Sequence, residues 1–134
     1  MSKANESGEV IIVTGDRNWT DYPFILDVIR CWHSGLHIDL LVHGACRGAE
    51  VLCGRAAESL GIRCEANPAD WDKLGRSAGP QRNRMMLYKH PECRVVLAFH
   101  DRIEASKGTK DMIKVSAHTG RSVYLYSHSG VEFL

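Results

Sequence analysis

Two kinds of apolar pattern take turns along this chain. Val10-Ile11-Ile12-Val13, Leu40-Leu41-Val42 and Val95-Val96-Leu97-Ala98-Phe99 are short unbroken runs, and each stops at polar or glycine positions: Thr14-Gly15, His43-Gly44 and His100. Such runs read as strands buried on both faces. Between them the apolar residues follow helical spacing. Ile25, Val28, Ile29 and Trp32 form one stripe, with Pro23 where a first helical turn accepts proline and Gly35 where the helix should end. Ala49, Leu52, Cys53, Ala56, Ala57 and Leu60 form a second, stopped by Gly61. Thr109, Met112, Ile113, Ser116 and Ala117 form another, closed by Gly120. Residues 62–66 make a weaker strand, Pro80 opens a helix running to about Tyr88, and Val123 to Tyr126 is the final strand.

Alternating strands and helices with continuously apolar strands predict a single α/β domain. Its sheet is mostly parallel and covered by helices on both faces, a three-layer arrangement. The domain is expected over residues 10–134, with 1–9 as a flexible polar segment unlike a secretion signal. Open sheets of this type take ligands outside the carboxyl ends of their strands. Thr14-Gly15-Asp16-Arg17, His43 through Gly48 and His100 through Thr109 follow three separate strands, so a pocket built from these loops is expected.

Composition narrows the function classes. The chain has 134 residues, one domain's worth, with 17 Lys and Arg against 16 Asp and Glu. A net charge of +1 argues against a protein whose main task is gripping a nucleic-acid backbone. No apolar run approaches the roughly 18 residues of a membrane span. The five cysteines lack CxxC spacing and read as free thiols, so a cytoplasmic location and no structural metal are expected. His33 and His37 have HxxxH spacing, but Gly35 lies between them, which argues against a metal site there.

Several positions carry candidate chemistry, each with a plainer alternative. Ser106-Lys107-Gly108-Thr109 opens a helix whose N-terminus favours an anion; an ordinary N-cap by Ser106 or Thr109 is the alternative. Gly44 and Gly48 bracket a tight strand-to-helix turn that suits a phosphate or only the turn itself. Arg82, between Gln81 and Asn83 in the early turns of its helix, calls for an anionic partner, whereas Arg84 reads as solvated. Neither GxGxxG nor GxxxxGK[ST] is present, and no bound cofactor is expected.

GDRNWTD, HGACRGAE, NPADW, AGPQRNRMM and SKGTKDM occur in this order from about Val10 to Val123. Together they resemble the SLOG superfamily, specifically its small YspA-like group. The resemblance implies a Rossmann-like fold, a pocket for nucleotides or nucleotide-derived ligands, and a homodimer or higher assembly. The superfamily also includes the LOG phosphoribohydrolases, which release a base from a nucleoside monophosphate. By that likeness Arg82 matches a functional arginine, with Gly79 and Asn83 beside it, and Gly108-Thr109 match a phosphate-binding turn. Where the LOG pattern has its catalytic glutamate this chain has Met112, with Asp111 one position earlier.

Two functional readings follow. In the first the chain is a sensor, carrier or sequestering module. Gly15, His43, Gly44, Gly48, Asp70, Gly79, Asn83, Ser106, Lys107, Gly108 and Thr109 would surround the ligand, Arg17 and Arg82 would hold its phosphate, and Trp19 or Trp71 would stack on a base. For each tryptophan, cover over a core edge is the alternative. In the second the chain is an N-glycosidic hydrolase, whose oxocarbenium-like transition state needs a carboxylate. Glu50, Asp70 and Asp111 are the carboxylates nearest the motifs, with Glu50, Asp111 and Arg82 as the catalytic candidates. Glu50 also reads as compensation for a helix dipole.

Overall fold

A computed structural model describes residues 8–134. The expected flexible segment 1–9 therefore lies outside the described residues, except for Gly8 and for Glu9, which already belongs to a strand. The elements are β1 (Glu9–Gly15), α1 (Tyr22–Leu36), β2 (Ile38–His43), α2 (Ala49–Ser59), β3 (Arg63–Ala66), α3 (Trp71–Leu74), α4 (Ala78–Lys89), β4 (Val95–Phe99), α5 (Lys107–His118), β5 (Ser122–Ser127) and β6 (Gly130–Phe133). The sheet runs β3-β2-β1-β4-β5-β6, parallel except for β6, which pairs antiparallel with β5. This is a Rossmann-like α/β domain.

Side chains on a strand alternate between faces, and the buried strands here divide their residues accordingly. Ile11, Val13, Leu41, Leu97 and Phe99 pack with Ile25, Ile29, Cys53 and Ala57 of α1 and α2. Ile12, Val42, Val96 and Val123 pack with Met86, Leu87 and Met112 of α4 and α5. A strand buried on both faces needs no polar alternation, which is why its sequence is an unbroken apolar run.

Four local expectations are corrected. Helix α1 passes through Gly35, ends at Leu36 and is capped by His37, which takes a φ of 56°. The His33 ring supplies the reason: its Nδ1 accepts the Ile38 amide at 2.9 Å, while the His33 carbonyl accepts the His37 amide. The HxxxH pair thus terminates a helix. Helix α4 begins at Ala78, so Pro80 is its third residue and Arg82 lies in its second turn. A proline fits there because first-turn amides have no intrahelical acceptor. The short α3 and the strand β6 have no periodic apolar stripe and went unpredicted, so Val123 to Tyr126 is not the last strand.

Candidate functional site

Strands β2, β1 and β4 lie side by side, and their carboxyl-end loops meet the N-terminus of α5 around a cavity of about 500 Å³. That volume is in the range of small-molecule sites, roughly 300–1,000 Å³. Gly15, Arg17, Glu50, Trp71, Gly79, Arg82, Asn83, Ser106, Lys107, Gly108 and Thr109 line it, as do residues not anticipated individually: Asp16, Asn18, Cys46, Arg47, Arg76 and His100. Asp16, Cys46, Arg47 and His100 sit in loops whose position after a strand was the available signal. Arg76 carries no sequence signal, since it follows the unforeseen α3.

At the α5 terminus, Ser106 Oγ accepts the Thr109 amide at 3.0 Å. The N-cap alternative for Ser106 therefore holds, and it leaves the Lys107 and Gly108 amides without intrahelical acceptors on the cavity wall. A Cβ added to Gly108 would meet nothing within 4 Å. Lys107 and Arg76 make no side-chain hydrogen bond or ion pair among the described residues. The guanidinium of Arg17 lies over the Trp71 ring, 5.4 Å from its centroid. Trp71 is 45% exposed, and its ring edge packs so near Gly79 that a Cβ there would approach to 3.1 Å. Five cationic residues, Arg17, Arg47, Arg76, Arg82 and Lys107, line the cavity together with the carboxylic residues Asp16 and Glu50.

Arg82 is more committed than its sequence position suggests. Its Nη1 donates to the carbonyls of Gly44 and Asn67, its Nε to Asn83 Oδ1 at 3.1 Å, and its Nη2 to Cys46 Sγ at 3.7 Å. It ties the turn after β2 to the end of β3 while keeping one edge on the cavity. Any Cβ at Gly44 would overlap that guanidinium. Glu50, 4% exposed, accepts the Gly44 amide. Burial raises the Glu50 carboxyl above the usual range, and the charge of Arg82 works in the opposite direction. His43 is pushed down, first by burial and then by Arg82.

Other expected site residues, Gly44 among them, do not line the cavity. His43 is buried behind the wall, with Nδ1 accepting the Ala45 amide at 2.9 Å. Gly48 has a φ of 81°, and a Cβ there would overlap the backbone of Asp16 and Arg17, so it serves the contact between two loops. Asp70 caps α3 by accepting the Lys73 amide. Trp19 is only 4% exposed. It packs edge-on against Phe24 and Phe99 and stacks on His128 at 4.6 Å, which corrects its reading as a base platform. Asp111 accepts from Asn83 Nδ2 at 3.1 Å, pairs with Arg84 at 3.4 Å and faces a neighbouring groove, so it does not join Glu50. Arg84 is accordingly ion-paired rather than simply solvated. Met112 is fully buried in the core.

The fold and the strand-end cavity define a Rossmann-like domain with its crevice where the strand order reverses. Residues 9–74 match the family described as YspA, cpYpsA-related SLOG (YAcAr), and over that stretch the chain is similar to this SLOG family. The Gene 61 protein of Mycobacterium phage D29 is 29% identical over 116 residues, covering 82% of this chain and 90% of the phage protein. Among solved structures, DNA processing protein A (DprA) from Streptococcus pneumoniae superposes with a TM-score of 0.67 at 17% identity, over 88% of this chain. This chain spans half the length of that protein, and the likeness is one of fold. No helix among the described residues is long and apolar enough to cross a membrane. No group of three or more potential metal ligands is present among them either.

Proposed function

We propose that the cavity binds a nucleotide or nucleotide-derived ligand, as a sensor, carrier or sequestering module. The observation that carries this reading is the α5 terminus, where Lys107 and Gly108, whose first-turn amides have no intrahelical acceptor, line the same cavity as Arg17, Arg47 and Arg76. Backbone N–H groups at a helix N-terminus, with cations around them, suit a phosphate. Trp71 offers a half-exposed indole face on the same wall for a base. The match of residues 9–74 to a SLOG family agrees with a nucleotide-related role. Incubating the protein with nucleoside mono-, di- and cyclic phosphates tests the proposal by thermal shift, with mass spectrometry of the same mixtures. A rise in melting temperature with unchanged nucleotide supports the binding module, and no shift with any compound overturns it.

One observation favours a second reading, an N-glycosidic hydrolase. Glu50 is a buried carboxyl on the cavity wall whose affinity for protons is raised by that burial. A carboxylic acid holding its proton nearer neutral pH suits assistance to a leaving base. Release of free base by the wild type, lost in Glu50→Gln with binding retained, selects this reading over the first.

A further inference from the structure

Asp16 and His100 leave the sheet side by side at the reversal of strand order. The residues before them, Gly15 and Phe99, are register partners on β1 and β4, and the Asp16 amide donates to the Phe99 carbonyl at 2.8 Å. Both side chains face the cavity. The Arg102 amide donates to His100 Nδ1 at 2.9 Å, which places the ring proton on Nε2. That Nε2 stands 4.0 Å from Asp16 Oδ1, beyond a direct hydrogen bond. Asp16 Oδ1 is itself oriented by the Asn18 amide at 2.9 Å, and Oδ2 accepts no hydrogen bond among the described residues. A donor and an acceptor therefore share one space without satisfying each other.

The chemistry of that gap is selective. A phosphate oxygen accepts from His100 but is repelled by the Asp16 carboxylate. An amino group donates to Asp16 but offers a ring N–H nothing to bind. A hydroxyl does both through a single oxygen. Placed roughly 2.8 Å from each partner, that oxygen subtends an angle of roughly 90°, close enough to its own bonding directions for both contacts. We infer that Asp16 and His100 together read a sugar hydroxyl, so that the ligand is a ribonucleotide or ribosyl phosphate derivative rather than its deoxy counterpart. The inference rests on the nucleotide reading above and assigns the sugar end of the ligand to the floor of the crevice.

The test uses ribonucleoside 5′-mono- and diphosphates beside their 2′-deoxy and 3′-deoxy forms, and 3′,5′-cyclic ribonucleotides beside their 2′-deoxy forms, with affinities measured by calorimetry. For the wild type, at least one deoxy form should bind roughly 10- to 100-fold more weakly, the loss expected for a hydrogen bond to a charged group. Asp16→Ala should bring that ratio within about threefold and His100→Phe, which leaves the carboxylate in place, should lower it by a smaller factor, the deoxy form binding both nearly as it binds the wild type. Equal wild-type affinity for all three sugars overturns the inference and leaves the nucleotide reading standing. A ratio that survives in both variants also overturns it. Should none of the nucleotides bind, the nucleotide reading fails and the inference falls with it. The wild-type comparison decides without relying on the folding of either variant.

Discussion

Replacing Arg82 with alanine should unsettle the fold around the cavity before it affects any ligand contact. The guanidinium donates to two backbone carbonyls, those of Gly44 and Asn67, which belong to separate turns, and it is part-buried. Hydrogen bonds to a charged group contribute about 1.5–3 kcal/mol each, and partial exposure favours the lower end, so the loss should be about 3 kcal/mol. In a domain of this size that lowers the melting temperature by roughly 9–15 °C. Arg82 also opposes the effect of burial on Glu50, so its removal should raise that carboxyl further. The two residues should therefore be coupled: Arg82→Ala made in a Glu50→Gln background should cost less than in the wild type, by about 1 kcal/mol or more. Urea unfolding of the four proteins in the cycle measures this directly.

A pH series adds an independent check. With the Glu50 carboxyl raised in the folded state, the native protein holds its proton more tightly than the unfolded chain. Stability from this group must then fall as pH climbs from the ordinary carboxylate range through the raised value. Glu50→Gln should lack that decline, and Arg82→Ala should extend it to higher pH. An Arg82→Ala protein that melts within about 2 °C of the wild type, or a strictly additive cycle, would refute the reasoning.

Other expectations test different parts of the molecule. His128 is held by Asp101 at 2.7 Å and Asp21 at 2.8 Å, and its pKa is raised by those bonds, Asp101 first. The stabilisation it provides is complete below the ordinary histidine value and lost as pH rises through the raised one; an NMR titration should show this, and His128→Gln should flatten the pH dependence of melting in that window. Gly108→Ala should leave the fold intact because a Cβ there meets no protein atom within 4 Å, whereas Gly108→Asp should keep the circular dichroism spectrum and lose affinity for phosphorylated compounds. Trp19→Ala should cost about 3–5 kcal/mol by emptying a packed aromatic cluster. Trp71→Ala should change denaturant stability little and weaken nucleotide binding, and the opposite ranking would undo the distinction between them.

Much of the architecture was legible in the chain because it depends on neighbours in sequence. Val10 to Val13 and Val95 to Phe99 read as strands since a strand covered on both faces has no need of polar residues. The ends of α2 and α5 were readable from Gly61 and Gly120, which take φ values of 74° and 84° just past their helices. The glycine-rich and polar strand ends marked the cavity for the same reason: loops after parallel strands gather at one edge of the sheet.

What stayed illegible was the choice of partner for each polar or aromatic side chain. Trp19 and Trp71 both stand in polar stretches of sequence, yet only the fold brings His128 and Phe99 over the first and leaves the second on the cavity wall. Arg82 reads as a phosphate ligand until the carbonyls of Gly44 and Asn67, distant in sequence, arrive at its guanidinium. Asp111 reads as a companion of Glu50 until Asn83 and Arg84 hold it in another groove. β6 has no buried face to leave a pattern and exists because β5 offers its edge. Caps and periodicity are settled within a turn or two of chain, so residue order suffices for them. A long polar side chain is settled by whichever backbone groups the packed elements bring within reach, and that is decided only when the layers close.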